Sequence, residues 1–320
     1  MPSPPAWSRR GLLAVAAALP AGCGRPTTGT SALVLGDQAG VNRLRVEAAG
    51  TLAGAPYPVK WANFQGAAPL FEALNAGAVD TAPAADSPII AAASAGQSFK
   101  VVAASRSSGR SVGLLVPANS PIRRVQDLAG RQVIVSSARG SIAQYLLIEA
   151  LREAKVPDTA VKVGFMLPHD AAAAFENGRI DAWATFGTYQ AVAEQAGARL
   201  LRDGRGLTTG IGLIAVSNTT LGAPGRRAAV SDVLTRFARA GDWAFHNPAP
   251  HAEAYARHTG LPVGVARSVV GWDDPRLGPV TPEVVADLQK VADLFADRGV
   301  FPARVQVARI VDTSVFRATA

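Results

Sequence analysis

Leu74-Asn75-Ala76-Gly77-Ala78-Val79-Asp80 and Phe175-Glu176-Asn177-Gly178-Arg179-Ile180-Asp181 lie 101 residues apart at both the glycine and the aspartate. Each reads as the last turn of a helix, a glycine in the left-handed position just past it, then a strand opening with an apolar residue and Asp. Glycine enters the left-handed region without the penalty a Cβ would bring, so it marks the stop. A helix of about a dozen residues precedes each copy. A loop follows each, at Asp86-Ser87-Pro88 and at Phe186-Gly187-Thr188. Two lobes built on one plan, with a cleft between them, would produce this echo. So would a chance likeness between two αβ units.

Short β-prone runs surround the echo: Ala32–Leu35, Val59–Phe64, Val101–Ala104, Val112–Val116, Gln132–Val135, Val161–Met166, Ile180–Ala184 and Ile211–Val216. Helical patterns lie between them. Tyr145, Leu146, Glu149 and Leu151 follow Ser141, a residue type suited to an N-cap. Val284, Val285, Leu288, Val291, Leu294 and Phe295 form an apolar stripe opened by Thr281-Pro282 and closed by Gly299. Such alternation predicts α/β layers with mostly parallel sheet. The 320 residues suffice for two domains, and 48% hydrophobic against 18% charged residues excludes charge-driven disorder.

The formal charge is +8, and only Lys60, Lys100, Lys155, Lys162 and Lys290 of the 32 basic residues are lysines. The arginines are scattered, with no run longer than two and no interleaved aromatics, so no nucleic-acid surface is read. Ser8-Arg9-Arg10-Gly11-Leu12-Leu13 opens an uncharged stretch to Leu19, the pattern of an export signal over residues 1–22. The paired arginines suggest the twin-arginine route. Pro20-Ala21-Gly22-Cys23 resembles a bacterial lipobox and makes the single cysteine, Cys23, a lipid attachment site. Pro20 stands where a large apolar residue is usual, so simple cleavage near the Ala-rich stretch is the alternative reading. Loss of Arg9 and Arg10 with the signal leaves +6, and residues 23–30 read as a tether.

Ser120-Pro121-Ile122, followed by Val125-Gln126-Asp127-Leu128-Ala129-Gly130-Arg131-Gln132-Val133-Ile134-Val135, resembles the start of the second lobe of periplasmic binding proteins. Leu70 to Asp80, Asp181-Ala182-Trp183-Ala184 and Asp203-Gly204-Arg205-Gly206-Leu207 narrow the likeness. Together they resemble the aliphatic-sulfonate, nitrate and taurine branch of ABC-transporter substrate-binding proteins, from about Leu33 to about Val307. The resemblance implies a type II-like fold: two α/β lobes joined by two hinge strands and closing on a ligand held between them. Residues 31–112 with 213–320 are expected to form one lobe and 113–212 the other, crossing near Val112–Leu115 and Ile211–Ile214.

The same resemblance implies the ligand contacts: Gln38, Phe64, Gly66, Ala67, Asp86 and Ser87 from one lobe, Arg139, Gly140, Ser141 and Trp183 from the other. A sulfonate stays ionised at any relevant pH, so helix N-termini and hydroxyls can hold it without proton transfer. Phe64 and Trp183 would suit an aliphatic tail. Each residue has a plainer reading: Ser141 and Asp86 as helix caps, Arg139 as a solvated charge, Trp183 as core. Where the family tends to show Tyr-Gln-Lys, this chain has Asp37-Gln38-Ala39, and Phe186-Gly187-Thr188 stands where an aromatic-Asp-Pro often falls. The departures point to a ligand anionic at one end and amino-bearing or otherwise polar at the other.

Catalysis is the competing class, since related folds include pyrimidine-precursor synthases. The only cysteine lies in the export segment, and no Gly-x-Ser-x-Gly elbow or Gly-Lys phosphate loop is present. His169, His246, His251 and His258 are expected at the surface rather than around a metal. No cofactor is implied, and no attached DNA-binding or kinase segment is read for a regulatory role. The expectation is an exported, lipid-tethered, monomeric receptor in the periplasm or at the outer face of the cytoplasmic membrane, delivering a small organic anion to a permease.

Overall fold

The computed structural model describes residues 32–272 and 274–316. The expected export signal, Cys23 and the expected tether lie outside the described residues. Along the chain run β1 (Leu33–Gln38), α1 (Val41–Ala49), β2 (Val59–Phe64), α2 (Ala67–Asn75), β3 (Thr81–Ala85), α3 (Asp86–Ser94) and β4 (Phe99–Arg106). Next come β5 (Val112–Val116), β6 (Gln132–Ser136), α4 (Ile142–Glu153), β7 (Lys162–Met166), α5 (Pro168–Glu176), β8 (Ala182–Phe186), α6 (Gly187–Gln195) and β9 (Arg199–Asp203). The chain closes with β10 (Ile211–Ser217), α7 (Asn218–Gly222), α8 (Pro224–His246), α9 (Pro248–Thr259), α10 (Val263–Trp272) and α11 (Pro282–Asp297).

Ten strands form two sheets, ordered β2-β1-β3-β10-β4 and β7-β6-β8-β5-β9. Each holds one strand reversed against its neighbours: β10 runs antiparallel to β3 and β4, and β5 runs antiparallel to β8 and β9. The architecture is thus the two-lobed α/β fold, one topology used twice. β3 and β9 are the strands that β-prone runs alone do not reveal. Thr81-Ala82-Pro83-Ala84-Ala85 carries no β-branched residue after Thr81, and proline lacks the N–H a central strand would use. β3 tolerates Pro83 because it pairs with β1 only at Leu35↔Thr81 and then draws away. The Gln38 side chain fills part of that gap, its Nε2 donating to the Pro83 carbonyl at 2.7 Å.

The echo is built into the backbone. α2, β3 and α3 begin and end 101 residues before α5, β8 and α6. Gly77 (φ 73°) and Gly178 (φ 64°) both take the left-handed conformation. The Ala78 and Arg179 amides close the same wider turn, reaching Ala73 and Ala174 carbonyls at 2.9 Å. Asp80 then accepts from the Val34 amide at 2.8 Å and Asp181 from the Gln132 amide at 2.9 Å, so that β3 is stitched to β1 and β8 to β6, the equivalent strands of the two sheets. The expected loops at Asp86 and Phe186-Gly187 are helix starts instead, because both strands pass directly into α3 and α6.

Leu33, Leu35 and Val216 pack under α8 on one face of the first sheet, while Leu70, Ile89, Leu288 and Phe295 fill the other. In the second lobe Leu114, Val135, Leu146 and Leu147 form one core cluster and Leu115, Ile134, Phe175 and Trp183 the other. Thr281 caps α11 as its pattern predicts, accepting from the Val284 amide. The chain passes between the sheets in residues 107–111 and 204–210, a few residues ahead of the strands expected to cross. These crossings are tied together: Gly204 N–H donates to Gly109 O at 3.0 Å and Ser107 N–H to Gly210 O at 2.6 Å. Arg110 braces them, pairing with Glu194 at 2.7 Å and lying 4.7 Å from the Trp272 ring centroid. Among the described residues, no helix is long and apolar enough to cross a membrane.

Candidate functional site

In open α/β sheets, ligands settle beyond the carboxyl ends of the strands, where helices begin with unpaired amides. Here the carboxyl ends of β1, β3, β6 and β8 meet around a cavity of about 480 Å³ between the lobes. The first lobe contributes Gln38, Ala67, Ala68, Pro83 and Ala91; the second contributes Ser137, Arg139, Ser141, Phe186 and Gly187. The size is that of a small-molecule site, and the walls are mainly apolar with a few polar groups.

Of the ten ligand contacts implied by resemblance, Gln38, Ala67, Arg139 and Ser141 line this cavity. Ala67 opens α2, whose N-terminus has no side-chain cap. Ser141 caps α4, its Oγ accepting from the Gln144 amide at 3.3 Å. Arg139 is exposed in the loop ahead of α4 and has no ion-pair partner among the described residues. An α-helix N-terminus from each lobe and one unpaired guanidinium therefore face the same space, a setting for an anion.

The other six lie beside the cavity rather than on its wall. Gly66 and Gly140 are where the lobes touch. A Cβ on Gly66 would stand 3.0 Å from Ser137 Oγ, and one on Gly140 would stand 2.7 Å from the Ala91 Cβ and 2.8 Å from Phe301. Phe64 packs on the first-lobe core. Ser87 is buried within α3, its hydroxyl without a hydrogen-bond partner among the described residues. Asp86 is fully buried, accepts from the Ser87 amide at 2.6 Å and from the Thr209 hydroxyl, and so ties α3 to the second crossing. Burial pushes its carboxyl up to about 6, against the pull of those two hydrogen bonds.

Trp183 is not at a strand end. β8 continues three residues beyond it, and alternation turns the indole inward, 1% exposed, with Nε1 donating to Ser136 Oγ at 2.9 Å. Phe186 and Gly187, at the true carboxyl end of β8, line the cleft in its place.

Other wall residues carry no motif. Asp37 is 1% exposed, and its carboxylate accepts from the amides of Gln38, Asn42 and Arg43 at 2.8, 3.2 and 2.8 Å. It therefore fills the N-terminus of α1 with a charge of the protein's own. Burial still holds its pKa above the ordinary value, outweighing the three amides. Arg45 lies one turn further along α1 and donates to the Pro275 carbonyl at 3.0 Å. Nothing local separates it from 26 other arginines in the sequence; its place on α1 behind Asp37 is the only signal. Of the histidines, His169, His246 and His258 are exposed as expected, but His251 is not. It faces inward with Ala252, Tyr255 and Ala256 on the apolar side of α9 and is 3% exposed. Among the described residues, no cluster of His, Cys, Asp and Glu is arranged to hold a metal ion.

Three comparisons bear on this cleft. The family model described as NMT1/THI5 like matches residues 63–249. A protein of Escherichia coli (strain K12) named for binding aliphatic sulfonates is 33% identical over 252 residues, 78% of this chain and 77% of the relative. The alkanesulfonate-binding protein SsuA from Xanthomonas axonopodis pv. citri, solved bound to MOPS, superposes with a TM-score of 0.83 at 28% identity, covering 89% of this chain and 99% of that one. The periplasmic aliphatic sulphonate binding protein SsuA from Escherichia coli gives 0.77 at 30% identity, covering 88% of this chain and 92% of that one.

Proposed function

The chain belongs to the NMT1/THI5-like family, and on that premise we propose that it is the extracytoplasmic solute receptor of an ABC importer, binding an organic sulfonate between its lobes. The observation that carries this reading is the pair of helix N-termini, α2 and α4, presented to one cavity from opposite lobes beside Arg139. An anion held by both lobes stabilises their closed arrangement by whatever affinity it has for that arrangement over the open one. Sulfonate oxygens accept hydrogen bonds and do not titrate, so backbone amides, the Ser141 hydroxyl and the Arg139 guanidinium suffice. The apolar wall of Ala68, Ala91 and Phe186 would then take the carbon skeleton.

The names of its relatives support the same ligand class and a periplasmic setting. A receptor returns its ligand unchanged, so closure, rather than chemistry, is the useful event; the closed form is what a membrane permease would meet. We place the mature protein outside the cytoplasmic membrane as a monomer, tethered through a lipid on Cys23. Calorimetric titration of ligand-free protein with alkanesulfonates, taurine, sulfate and nitrate tests the central point. Saturable heat with an alkanesulfonate, and compaction in solution scattering, are expected. No heat with any of the four ligand types would sink the assignment. Replacement of Cys23 by Ser should release the exported protein from the membrane fraction.

A further inference from the structure

In the second lobe, α5 and α6 are bridged near their first turns by two rings: His169 and Tyr189 meet edge to face with centroids 5.4 Å apart. The equivalent positions of the first lobe, 101 residues earlier, are Ala68 on α2 and Pro88 on α3. No aromatic ring bridges the helices there, and both residues line the main cavity instead.

The cavity continues past them between α2 and α3. Phe71 and Glu72 line it on α2, Ala91, Ala92 and Ala95 along α3, and Leu213 on β10. Phe71, Ala92 and Leu213 are buried and belong to one core cluster, so they form the floor. Ala68, Glu72 and Ala95 are exposed and form the rim. From Pro88 to Ala95 the wall runs about 10 Å along α3. Helices packed side by side stand about 8–10 Å apart, and alanines at that spacing leave the room that a larger side chain would fill. Of these side chains only Glu72 is charged, and it stands on the rim.

We infer that this groove takes the tail of the ligand, and that the ligand is a linear alkanesulfonate of several carbons rather than a two-carbon one. The inference rests on the sulfonate reading and narrows it: the sulfonate lies at the α2 and α4 ends, and the chain runs between Ala68 and Ala91 toward Ala95. Each methylene laid on the floor leaves water for an apolar surface. The rim is open to solvent, so the gain per methylene is part of that for full burial. A polar group on the chain would lose water over Phe71, Ala92 and Leu213, whose side chains offer nothing to replace it. The second lobe has no matching groove at the start of α5 and α6, because His169 and Tyr189 occupy it.

The test is a calorimetric series on the mature protein with ethane-, butane-, hexane- and octanesulfonate. Affinity should rise at every step, and octanesulfonate should bind at least about thirtyfold tighter than ethanesulfonate. Ala68→Phe places a ring where the second lobe has one and should bring that ratio below about fivefold. Ala95→Leu, at the other end of the groove, serves should Ala68→Phe fail to fold; it should remove the step from hexane to octane and keep the step from ethane to butane. A merely structural disturbance would weaken all four and leave their ratios alone. Affinity that is flat beyond butanesulfonate, or ratios unchanged in the folded variants, would overturn the inference and leave the sulfonate reading standing. Silence from all four ligands would overturn both.

Discussion

Asp80 and Asp181 hold equivalent places in the two lobes, each following a left-handed glycine and each accepting an amide of the adjacent strand, β1 or β6. Their surroundings differ. Asp80 is 5% exposed and also receives the Thr220 hydroxyl from α7 and the Arg226 guanidinium from α8. Asp181 makes the strand contact from a half-buried position. One local device thus does two jobs. In the second lobe it fastens a strand edge; in the first it also anchors the helices appended after β10. Local sequence prescribes the turn, and the chain's later course decides how much rests on it.

The sharpest way to break that comparison is to remove both carboxylates in turn. Asp80→Ala takes away a buried carboxylate that accepts from the Val34 amide, the Thr220 hydroxyl and the part-exposed Arg226 guanidinium, and should cost about 3 kcal/mol. Asp181→Ala removes one partly exposed hydrogen bond and should cost about 1 kcal/mol. Urea denaturation of each variant gives both numbers. Equal costs would mean that the network around Asp80 contributes nothing beyond the shared strand contact.

Six residues further on, the lobes diverge again: Asp86 opens α3 and Gly187 opens α6. Asp86 has its folded pKa raised from 3.8 to about 6, so the folded chain holds this proton more tightly than the unfolded chain does. Its penalty is therefore absent below about pH 4 and complete above about pH 6, amounting to roughly 3 kcal/mol. His251 slopes the other way. Its pKa falls from 6.5 to about 4 on folding, so its stability is present above about 6.5 and lost as pH drops toward 4. In the native protein the two partly cancel. The difference between Asp86→Asn and the native chain isolates the first, and should shift by about 3 kcal/mol in the variant's favour between pH 4 and pH 7. A flat difference would show that Asp86 ionises in the fold without cost.

The same pairing explains what was readable in the sequence. β2 and β5 agree with their β-prone runs at both ends, because Val, Phe, Leu and Trp there suit a pleated half-buried surface. β3 is visible only through its likeness to β8, since Thr-Ala-Pro-Ala-Ala carries little strand propensity of its own. β9 hides for a different reason: two arginines in five residues read as a surface loop, yet both side chains lie along it, bonded to Ala118 and Glu153. Trp183 illustrates the limit for the site. The expected run stops at Ala184 and β8 at Phe186, and a shift of two residues in where a strand ends decides which ring stands at the cleft; composition does not contain that information. Arg45 and His251 become distinctive only when α1 and α9 are packed side by side.

Where the lobes meet, glycines 66 and 140 offer the next contrast. Gly140 is left-handed, at φ 79°, and its missing Cβ leaves room for Ala91 and Phe301. Gly140→Ala carries both a backbone penalty and a clash, together about 2 kcal/mol or more. Gly66 is extended, at φ −176°, a conformation any residue adopts, and its nearest neighbour is the Ser137 hydroxyl, which can rotate away. Gly66→Ala should cost less than about 0.5 kcal/mol. Scattering with and without ligand reads the consequence for closure: the Gly140 variant should stay more open at saturation, and the Gly66 variant should match the native chain. Identical profiles would mean that the lobes do not approach through Gly140.

The last contrast is the one closest to function. Ser141 and Arg139 stand two residues apart on the second-lobe wall, yet they answer to different demands. Ser141 is 7% exposed and caps α4, so Ser141→Ala should lower stability by about 1 kcal/mol as well as weaken binding. Arg139 is exposed and has no ion-pair partner among the described residues, so its positive charge is not needed by the described fold. Arg139→Gln should therefore leave the denaturation midpoint in place while weakening an alkanesulfonate about tenfold, the loss of one charge-assisted contact of about 1.4 kcal/mol. Titration at two salt concentrations separates contact from mere field. A guanidinium that touches the sulfonate keeps most of its effect at high ionic strength, whereas a distant charge is screened within about 10 Å at 0.1 M. If the variant binds as the native chain does at both, the anion is held by helix N-termini alone, and the first lobe's α2 carries as much of the ligand as the second lobe's α4.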